Sequence, residues 1–199
     1  MRKPAGGSMT TELETFRTPE GGWTTDDLDR IPDDNRRREL LDGILLVPPP
    51  PRTTHQQVTA RLMAALDDMA PDGYDGVHGV EVRLSDRRTF VPDGVILHAA
   101  DDEDHRHWYA PRDVVLAVEV VGEGTETLDR LVKPALYAQA GIPFYWRIET
   151  QRGALEVVTY RIDASNEAYT ETGRWTTVVD TGEPFPINLP ISRITPRVR

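Results

Sequence analysis

The feature that most constrains the fold is an apolar run, DVVLAVEVV at residues 113–121, in which Glu119 is the one charged residue after the first position. A continuous run of this kind, rich in valine, is typical of a strand that is buried on both faces of a sheet. An ionised carboxylate inside such a strand is costly unless it is paired or binds a cation. The sequence therefore predicts a covered sheet and a partner or cation for Glu119.

Patterns on both sides of this run predict the remaining elements of the sheet and two main helices. Apolar positions from Thr53 to Met69 follow the spacing of one helix face, and LYAQAG, capped by Gly141, predicts a second helix. Asp42-Gly43 between two apolar runs predicts a hairpin that carries Glu39. Further strand-like runs lie at 80–84, 89–97, 144–149 and 154–162, with short ones in the tail. A strand, a helix and a strand over 113–149 indicate a right-handed parallel crossover.

Length and composition limit the class of protein. A chain of 199 residues suffices for one domain with a core, and we expect a flexible segment at 1–22 before a single α/β (α+β) domain at 23–199. The absence of cysteine excludes disulfides, Cys-based zinc sites and a Cys nucleophile. No apolar run approaches the roughly 18 residues of a membrane helix, and no signal-peptide pattern is present, so we expect a cytoplasmic protein without membrane contact.

The charge of the chain limits its partners. A net charge of -10 argues against nucleic-acid binding, because Lys and Arg make most phosphate contacts. The objection weakens if several of the acids hold a metal ion. Of 23 basic residues only Lys3 and Lys133 are lysines. Lys133 is either a chance surface lysine or a site that needs a compact ammonium whose pKa can shift on burial, which a guanidinium cannot offer.

Three acids lie in or beside apolar strands: Glu39, Asp93 and Glu119. For a single acid in such a place, exposure at an edge or a salt bridge is the commoner explanation. Pro92 interrupts hydrogen bonding directly before Asp93, however, and Glu119 has apolar neighbours on both sides. If the two strands pair with these side chains on one face, their carboxylates converge as in sites that hold Mg²⁺ for phosphodiester chemistry. Spacing alone does not establish that pairing.

The order of several segments resembles a known family. RELLDGILLV, HQQV, VPDGVIL, VLAVEVV, DRLVKPALYAQAGI and PFYWRIE occur in the same order and at similar intervals as in the Uma-two family of restriction-endonuclease-like proteins, over about Trp23 to Ile162. The resemblance implies the PD-(D/E)XK nuclease superfamily, with a restriction-endonuclease-like central mixed β-sheet flanked by helices. It also implies metal-dependent cleavage of DNA.

The resemblance assigns roles to particular residues. Asp93 and Glu119 would be the paired metal ligands and Glu39 the upstream acid of the same site, with Mg²⁺ as the metal and Mn²⁺ as a substitute. The usual lysine lies two residues after the second acid, where this chain has Val121. Lys133 instead resembles the migrated form, which reaches the site from the following helix. Because Pro134 disfavours helical geometry at the residue before it, we expect Lys133 at the helix start.

Four further residues are candidates for substrate binding: His55, Gln56, Arg38 and Tyr137. His55 and Gln56 open the long helix as in the family, and a histidine there is either a structural hydrogen bonder or a phosphate contact. Arg38 belongs to the basic triplet 36–38, which is either a solvated strand end or a phosphate contact. Tyr137 belongs to the family pattern. The acidic, His-containing loop at 101–107 matches no compact zinc motif and indicates a solvated loop.

Together these observations predict a metal-dependent DNA endonuclease with Glu39, Asp93, Glu119 and Lys133 as catalytic residues. A homodimer is expected by analogy, because many such nucleases pair to cut both strands. Two alternatives stay open. The chain could be a catalytically inactive domain of this fold that binds nucleic acid or a protein partner, or an interaction domain that its negative charge keeps away from DNA.

Overall fold

The computed structural model describes residues 18–99, 107–151, 153–163, 165 and 167–197. Most of the predicted flexible segment, most of the acidic loop with His105, and the last two residues lie outside the described residues. None of the described helices is long and apolar enough to cross a membrane. The helical elements are α1 (Thr25–Leu28), α2 (Thr53–Asp67), a 3-10 turn (Pro111–Asp113), a π-helix (Leu128–Val132), α3 (Lys133–Gln139) and α4 (Ile191–Ile194).

The strands of the described chain are numbered in sequence order. They are β1 (Glu39–Leu41), β2 (Ile44–Leu46), β3 (Tyr74–Val77), β4 (Glu81–Ser85), β5 (Arg88–Phe90), β6 (Gly94–His98), β7 (Trp108–Tyr109), β8 (Val114–Val120), β9 (Phe144–Gln151), β10 (Ala154–Asp163), β11 (Ala168–Trp175), β12 (Val178–Thr181) and β13 (Ile187–Pro190).

These strands form mixed sheets, and the predicted α/β class of a single restriction-endonuclease-like domain is confirmed. A six-stranded sheet has the order β11-β10-β9-β8-β6-β3, a five-stranded sheet the order β2-β1-β5-β4-β7, and β12 pairs with β13. The strands are thus divided among three sheets instead of one. The predicted crossover is present, because β8 and β9 are parallel and the π-helix and α3 connect them.

The apolar run that constrains the fold forms β8, and all seven of its residues are buried. On one side of the six-stranded sheet, α2, α4, β12 and β13 cover a core that includes Val118 and Trp146. On the other side, Ala117 and Tyr145 belong to a second core, together with Phe90 of the five-stranded sheet and Tyr137 of α3. Glu119 shares the face of Ala117, because alternate residues of a strand point the same way. Its carboxylate therefore enters the space between the two sheets.

Two local features place the candidate residues. Asp42 and Gly43 have positive φ angles of 52° and 80°, as a type I′ hairpin requires, and they pair β1 with β2 so that Glu39 begins the inner strand. The run predicted as one strand over 89–97 is divided into β5 and β6, which belong to different sheets. The division falls at Val91-Pro92-Asp93, because proline cannot donate to a sheet. Asp93 consequently lies where the chain passes from one sheet to the other.

Candidate functional site

The two acids predicted to form a pair lie side by side. Strands β6 and β8 are antiparallel and pair Gly94 with Val118, so that Asp93 and Glu119 follow as the next two opposed residues. Residues directly opposite each other in antiparallel strands place their side chains on the same face. The backbone N–H of Val120 donates to Asp93 Oδ2 at 2.8 Å, which fixes the Asp93 carboxylate against the end of β8.

Lys133 places its ammonium among these acids. Its Nζ lies 3.1 Å from Glu119 Oε1, 3.4 Å from Glu39 Oε1 and 3.3 Å from Asp129 Oδ1. The Lys133 side chain is only 3% exposed, so one buried ammonium contacts three buried carboxylates. Lys133 is also the first residue of α3, as the proline after it predicts. The lysine therefore reaches the end of β8 from the crossover helix.

Asp129 was not among the predicted site residues, although it belongs to the family pattern. It is buried in the π-helix directly before α3, and such π-helical turns are frequent at functional sites. Thr125 donates to its Oδ2 at 2.5 Å, and the Tyr145 hydroxyl donates to its backbone carbonyl at 2.6 Å. The sequence signal that could have identified Asp129 is its spacing of four residues from Lys133, which places both on one face of a helix.

Burial and charge shift the pKa values of this group in opposite ways. Burial raises the pKa of Glu119 to about 8, and Lys133 offsets only part of that rise. Burial alone lowers the pKa of Lys133, but the charges of Glu119 and Glu39 outweigh it and hold this pKa above its usual value. Lys133 therefore stays protonated at neutral pH, whereas Glu119 readily takes up a proton. A metal ion that binds Glu119 has to displace that proton.

Arg37 is the member of the basic triplet that reaches the acids. Its Nε and Nη2 donate to Glu39 Oε1 at 3.1 and 2.6 Å, and its Nη1 donates to Asp93 Oδ1 at 3.1 Å. The sequence pattern pointed to Arg38 instead, because Arg38 adjoins Glu39. In the structure, Arg38 turns away and pairs with Asp34 through both terminal nitrogens, at 2.9 and 2.7 Å. Arg38 precedes β1 directly, but its guanidinium is held by Asp34, whereas Arg37 bonds to the Glu39 carboxylate.

His55 joins the site from the first turn of α2, whereas Gln56 does not. His55 Nε2 lies 2.8 Å from the Val120 carbonyl oxygen and 3.2 Å from Asp93 Oδ2. Burial lowers the pKa of His55, but its contacts with Asp93 and Val120 outweigh that effect and raise it. Gln56 is exposed and donates to the Pro51 carbonyl at 3.0 Å. His55 thus contacts the Val120 carbonyl at the end of β8 and the Asp93 carboxylate beside it. Gln56 contacts the proline segment instead.

Tyr137 is fully buried and supports Glu119. Its hydroxyl donates to Glu119 Oε1 at 2.8 Å. Burial and the charge of Glu119 raise the pKa of Tyr137 well above its usual value, so the phenol remains a donor. A substrate in the cleft cannot reach Tyr137, so Tyr137 does not bind substrate as the sequence suggested. Its hydroxyl orients the Glu119 carboxylate instead.

We expect Tyr137→Phe to lower the free energy of unfolding by about 1–2 kcal/mol, because a buried carboxylate oxygen loses a donor. Urea denaturation measures this loss. Tyr169→Phe is the matched control, because the Tyr169 hydroxyl donates to the Ile142 carbonyl at 2.8 Å, outside the site. Both variants should lose stability, but only Tyr137→Phe should change the affinity for Mn²⁺. Equal Mn²⁺ affinities for all three proteins would contradict the role of Tyr137.

The acids and Lys133 line the floor of an open cleft of 1160 Å³. One wall is apolar and consists of 45–51, which is the end of β2 and the four prolines after it. The other wall consists of 122–125 with Leu128, between β8 and the π-helix. Arg52, which follows the first wall, and Glu123 of the second wall form an ion pair between exposed side chains. The cleft thus gives a long ligand access to the acids from outside.

The residues of the floor match the ligands of a hard cation. Carboxylates of Asp93, Glu119 and Glu39 and the carbonyl of Val120 are oxygen donors, which Mg²⁺ and Mn²⁺ prefer. Within the described ranges, no group of three or more His, Asp or Glu side chains stands in a ready arrangement around a metal position. The reason is visible in the floor itself, because the cations of Arg37 and Lys133 stand among the carboxylates.

Comparisons with known proteins identify the family and the fold of the chain. The sequence model of a family described as "Uma2: Putative restriction endonuclease" matches residues 25–189. A crystal structure of "a putative nuclease belonging to DUF820" from Anabaena variabilis ATCC 29413 superposes with a TM-score of 0.66. The match covers 86% of this chain and 96% of that chain at 15% sequence identity, so it shows a shared fold. No curated protein matches the sequence.

Proposed function

We propose that this chain, which belongs to the Uma2 family of restriction-endonuclease-like proteins, is a metal-dependent endonuclease that hydrolyses phosphodiester bonds in DNA. The observation that carries the proposal is the floor of the cleft. There a buried ammonium and the carboxylates of Asp93, Glu119 and Glu39 come together at the point where two sheets meet. Buried charges are costly to keep, and charged groups with perturbed pKa values in a cleft cluster at active sites.

In this proposal Asp93 and Glu119 hold Mg²⁺, and Glu39 completes the acidic site. The metal, when bound, lowers the pKa of a water molecule and neutralises charge on the phosphate. Lys133 contributes a fixed positive charge and N–H donors near the reacting phosphate. In the metal-free site the charges of Glu119 and Glu39 hold the pKa of Lys133 above its usual value, which suits a fixed positive charge. His55 keeps the Asp93 carboxylate in place.

The charge of the cleft bears on the substrate. The chain carries a net charge of -10, yet the cleft is lined by Arg36, Arg37 and Arg52 next to the acids. These side chains can contact phosphates on both sides of the reacting bond. These contacts do not need a continuous basic groove. With so few of them, the affinity for DNA should be modest and should fall as the salt concentration rises.

A domain of this fold that binds without cutting remains the second candidate. The observation that favours it is that Arg37 and Lys133 already neutralise part of the acidic floor from within. In that case the acids would serve structure, and divalent ions would bind weakly or not at all.

We expect purified protein to nick or linearise supercoiled plasmid DNA with Mg²⁺ or Mn²⁺, and EDTA to stop the reaction. Agarose gels resolve the supercoiled, nicked and linear forms. Linear product without accumulation of nicked circles would indicate that two chains act together, in agreement with the expected homodimer. Ca²⁺ serves as the control ion, because it takes more ligands in a looser geometry. Cleavage that persists in EDTA would contradict metal dependence, and no cleavage of any DNA form would favour the second candidate.

A further inference from the structure

Arg37 holds a distinct place among the cations of the site. Its guanidinium bridges Glu39 and Asp93, and the Lys133 ammonium lies 3.4 Å from the same oxygen of Glu39. The Arg37 side chain is 27% exposed and that of Lys133 only 3%. Lys133 therefore belongs to the interior of the site, whereas Arg37 forms part of its surface in the cleft.

The charges of the site leave room for one further divalent cation. Four carboxylates surround the floor, and two permanent cations offset half of their charge; these residues are Glu39, Asp93, Glu119, Asp129, Arg37 and Lys133. When a bound cation has displaced the proton of Glu119, two negative charges remain, which balance the charge of a single Mg²⁺. A protonated His55 beside Asp93 would make this remainder smaller still. A second divalent ion would leave the buried floor with excess positive charge, which is costly in a region of low dielectric constant.

The contacts of Arg37 also match the task of a metal ion. Two-metal nucleases hold two ions, one near the attacking oxygen and one near the leaving oxygen of the phosphate. Each ion joins acidic side chains to the phosphate. A guanidinium has five N–H donors, and in the described chain the carboxylates of Glu39 and Asp93 take three of them. Two donors remain for phosphate oxygens, which guanidinium groups bind well.

We propose that the Arg37 guanidinium replaces a second metal ion, so that each chain binds one divalent cation at Asp93 and Glu119. Arg37 lies between Glu39 and Asp93, and from this position it contacts the reacting phosphate. The inference rests on the proposed function in one respect only, because it assumes that the site takes a divalent cation. The inference adds two points to the proposed function. It gives the number of divalent cations that each chain binds, and it names Arg37 as the residue that limits this number to one.

The test counts Mn²⁺ ions on the intact, DNA-free protein by isothermal titration calorimetry and by electron paramagnetic resonance of bound Mn²⁺. We expect one ion per parent chain. Arg37→Gln should bind two, because removal of the guanidinium frees Asp93 Oδ1 and takes one cation away from Glu39 Oε1. The second ion binds more weakly because Glu39 Oε1 still accepts from the Val91 N–H and still faces Lys133. The spectrum of this variant should show coupling between neighbouring Mn²⁺ ions, which the parent lacks. Arg38→Gln is the matched control and should bind one ion, because Arg38 lies outside the cleft and pairs with Asp34.

The possible results separate this inference from the proposed function. Two ions on the parent chain, or one ion on a folded Arg37→Gln variant, would overturn the inference and leave the nuclease proposal intact. No bound Mn²⁺ on the parent would overturn both. If circular dichroism shows that Arg37→Gln is unfolded, Arg37→Lys takes its place. A lysine keeps the charge but cannot span both carboxylates, so this variant should bind one ion and lose affinity for a phosphodiester ligand such as a short oligonucleotide. Unchanged oligonucleotide affinity would overturn the inference.

Discussion

Lys133→Met should lower the free energy of unfolding by about 3 kcal/mol or more, because removal of one partner from a buried ion pair leaves uncompensated charge. Three carboxylates lie within 3.4 Å of the Lys133 nitrogen, and its side chain is 3% exposed, so water cannot replace the ammonium. Methionine has a similar length and no charge. The loss therefore measures electrostatics more than packing, and urea denaturation of the metal-free protein detects it.

The pH dependence of that loss distinguishes charge from packing. Glu119 has a pKa of about 8 with Lys133 beside it, and loss of the ammonium raises this pKa further. A carboxyl group whose pKa is higher in the folded than in the unfolded state destabilises the fold as pH rises towards the folded value. The difference between variant and parent should therefore grow above about pH 8. A difference that does not change with pH would indicate lost packing instead.

Two comparison variants complete this experiment. Arg30→Met removes an exposed cation from its pair with Asp27 and should leave stability nearly unchanged. Lys133→Arg keeps the positive charge, but a planar guanidinium does not fit a space shaped for an ammonium, so it should recover only part of the stability. If Lys133→Met were no less stable than Arg30→Met, the ammonium would not hold the acidic floor together.

The general layout of the site was predictable from sequence because it depends on strand order. A carboxylate in a strand buried on both faces has to have a partner, and this reasoning identified Glu119 without any structure. Pro92 was expected to interrupt hydrogen bonding directly before Asp93, although the division of this run between two sheets was not predicted. The hairpin signal Asp42-Gly43 placed Glu39 at the end of a strand. In each case a local rule leaves few alternatives, and the family resemblance supplied the lysine.

The partners of these residues could not be predicted, since they depend on distances across the fold. Arg37 and Arg38 are adjacent arginines, and the sequence does not show which of them contacts an acid 56 residues further along the chain. In the structure Arg37 contacts Asp93 and Arg38 contacts Asp34. Asp129 and Tyr137 surround Glu119 and Lys133 because a π-helical turn joins α3, and the pattern LDRLVKPAL does not distinguish that turn from an α-helix. The division of the strands among three sheets also depends on long-range packing.

Glu119→Gln should have the largest effect on function, with cleavage reduced by about a hundredfold or more at saturating DNA. Glutamine retains the shape of the side chain and an oxygen that can accept from the Tyr137 hydroxyl. It removes the charge that a metal ligand needs, so the affinity for Mn²⁺ should also fall. The rate of plasmid nicking and Mn²⁺ titration calorimetry measure the two effects separately.

Glu149→Gln is the matched control for this substitution, because Glu149 is a buried glutamate on the neighbouring strand β9. Its carboxylate pairs with Arg130 and Arg147, and the cleft does not include it. Both substitutions replace a buried carboxyl group by an amide of the same shape, so a general effect on packing or stability would appear in both variants. Loss of cleavage and of Mn²⁺ binding in Glu119→Gln alone would tie the activity to the floor of the cleft. Equal cleavage by Glu119→Gln and the parent would mean that Glu119 does not bind the metal, and the nuclease proposal would then lose the residue on which its geometry depends.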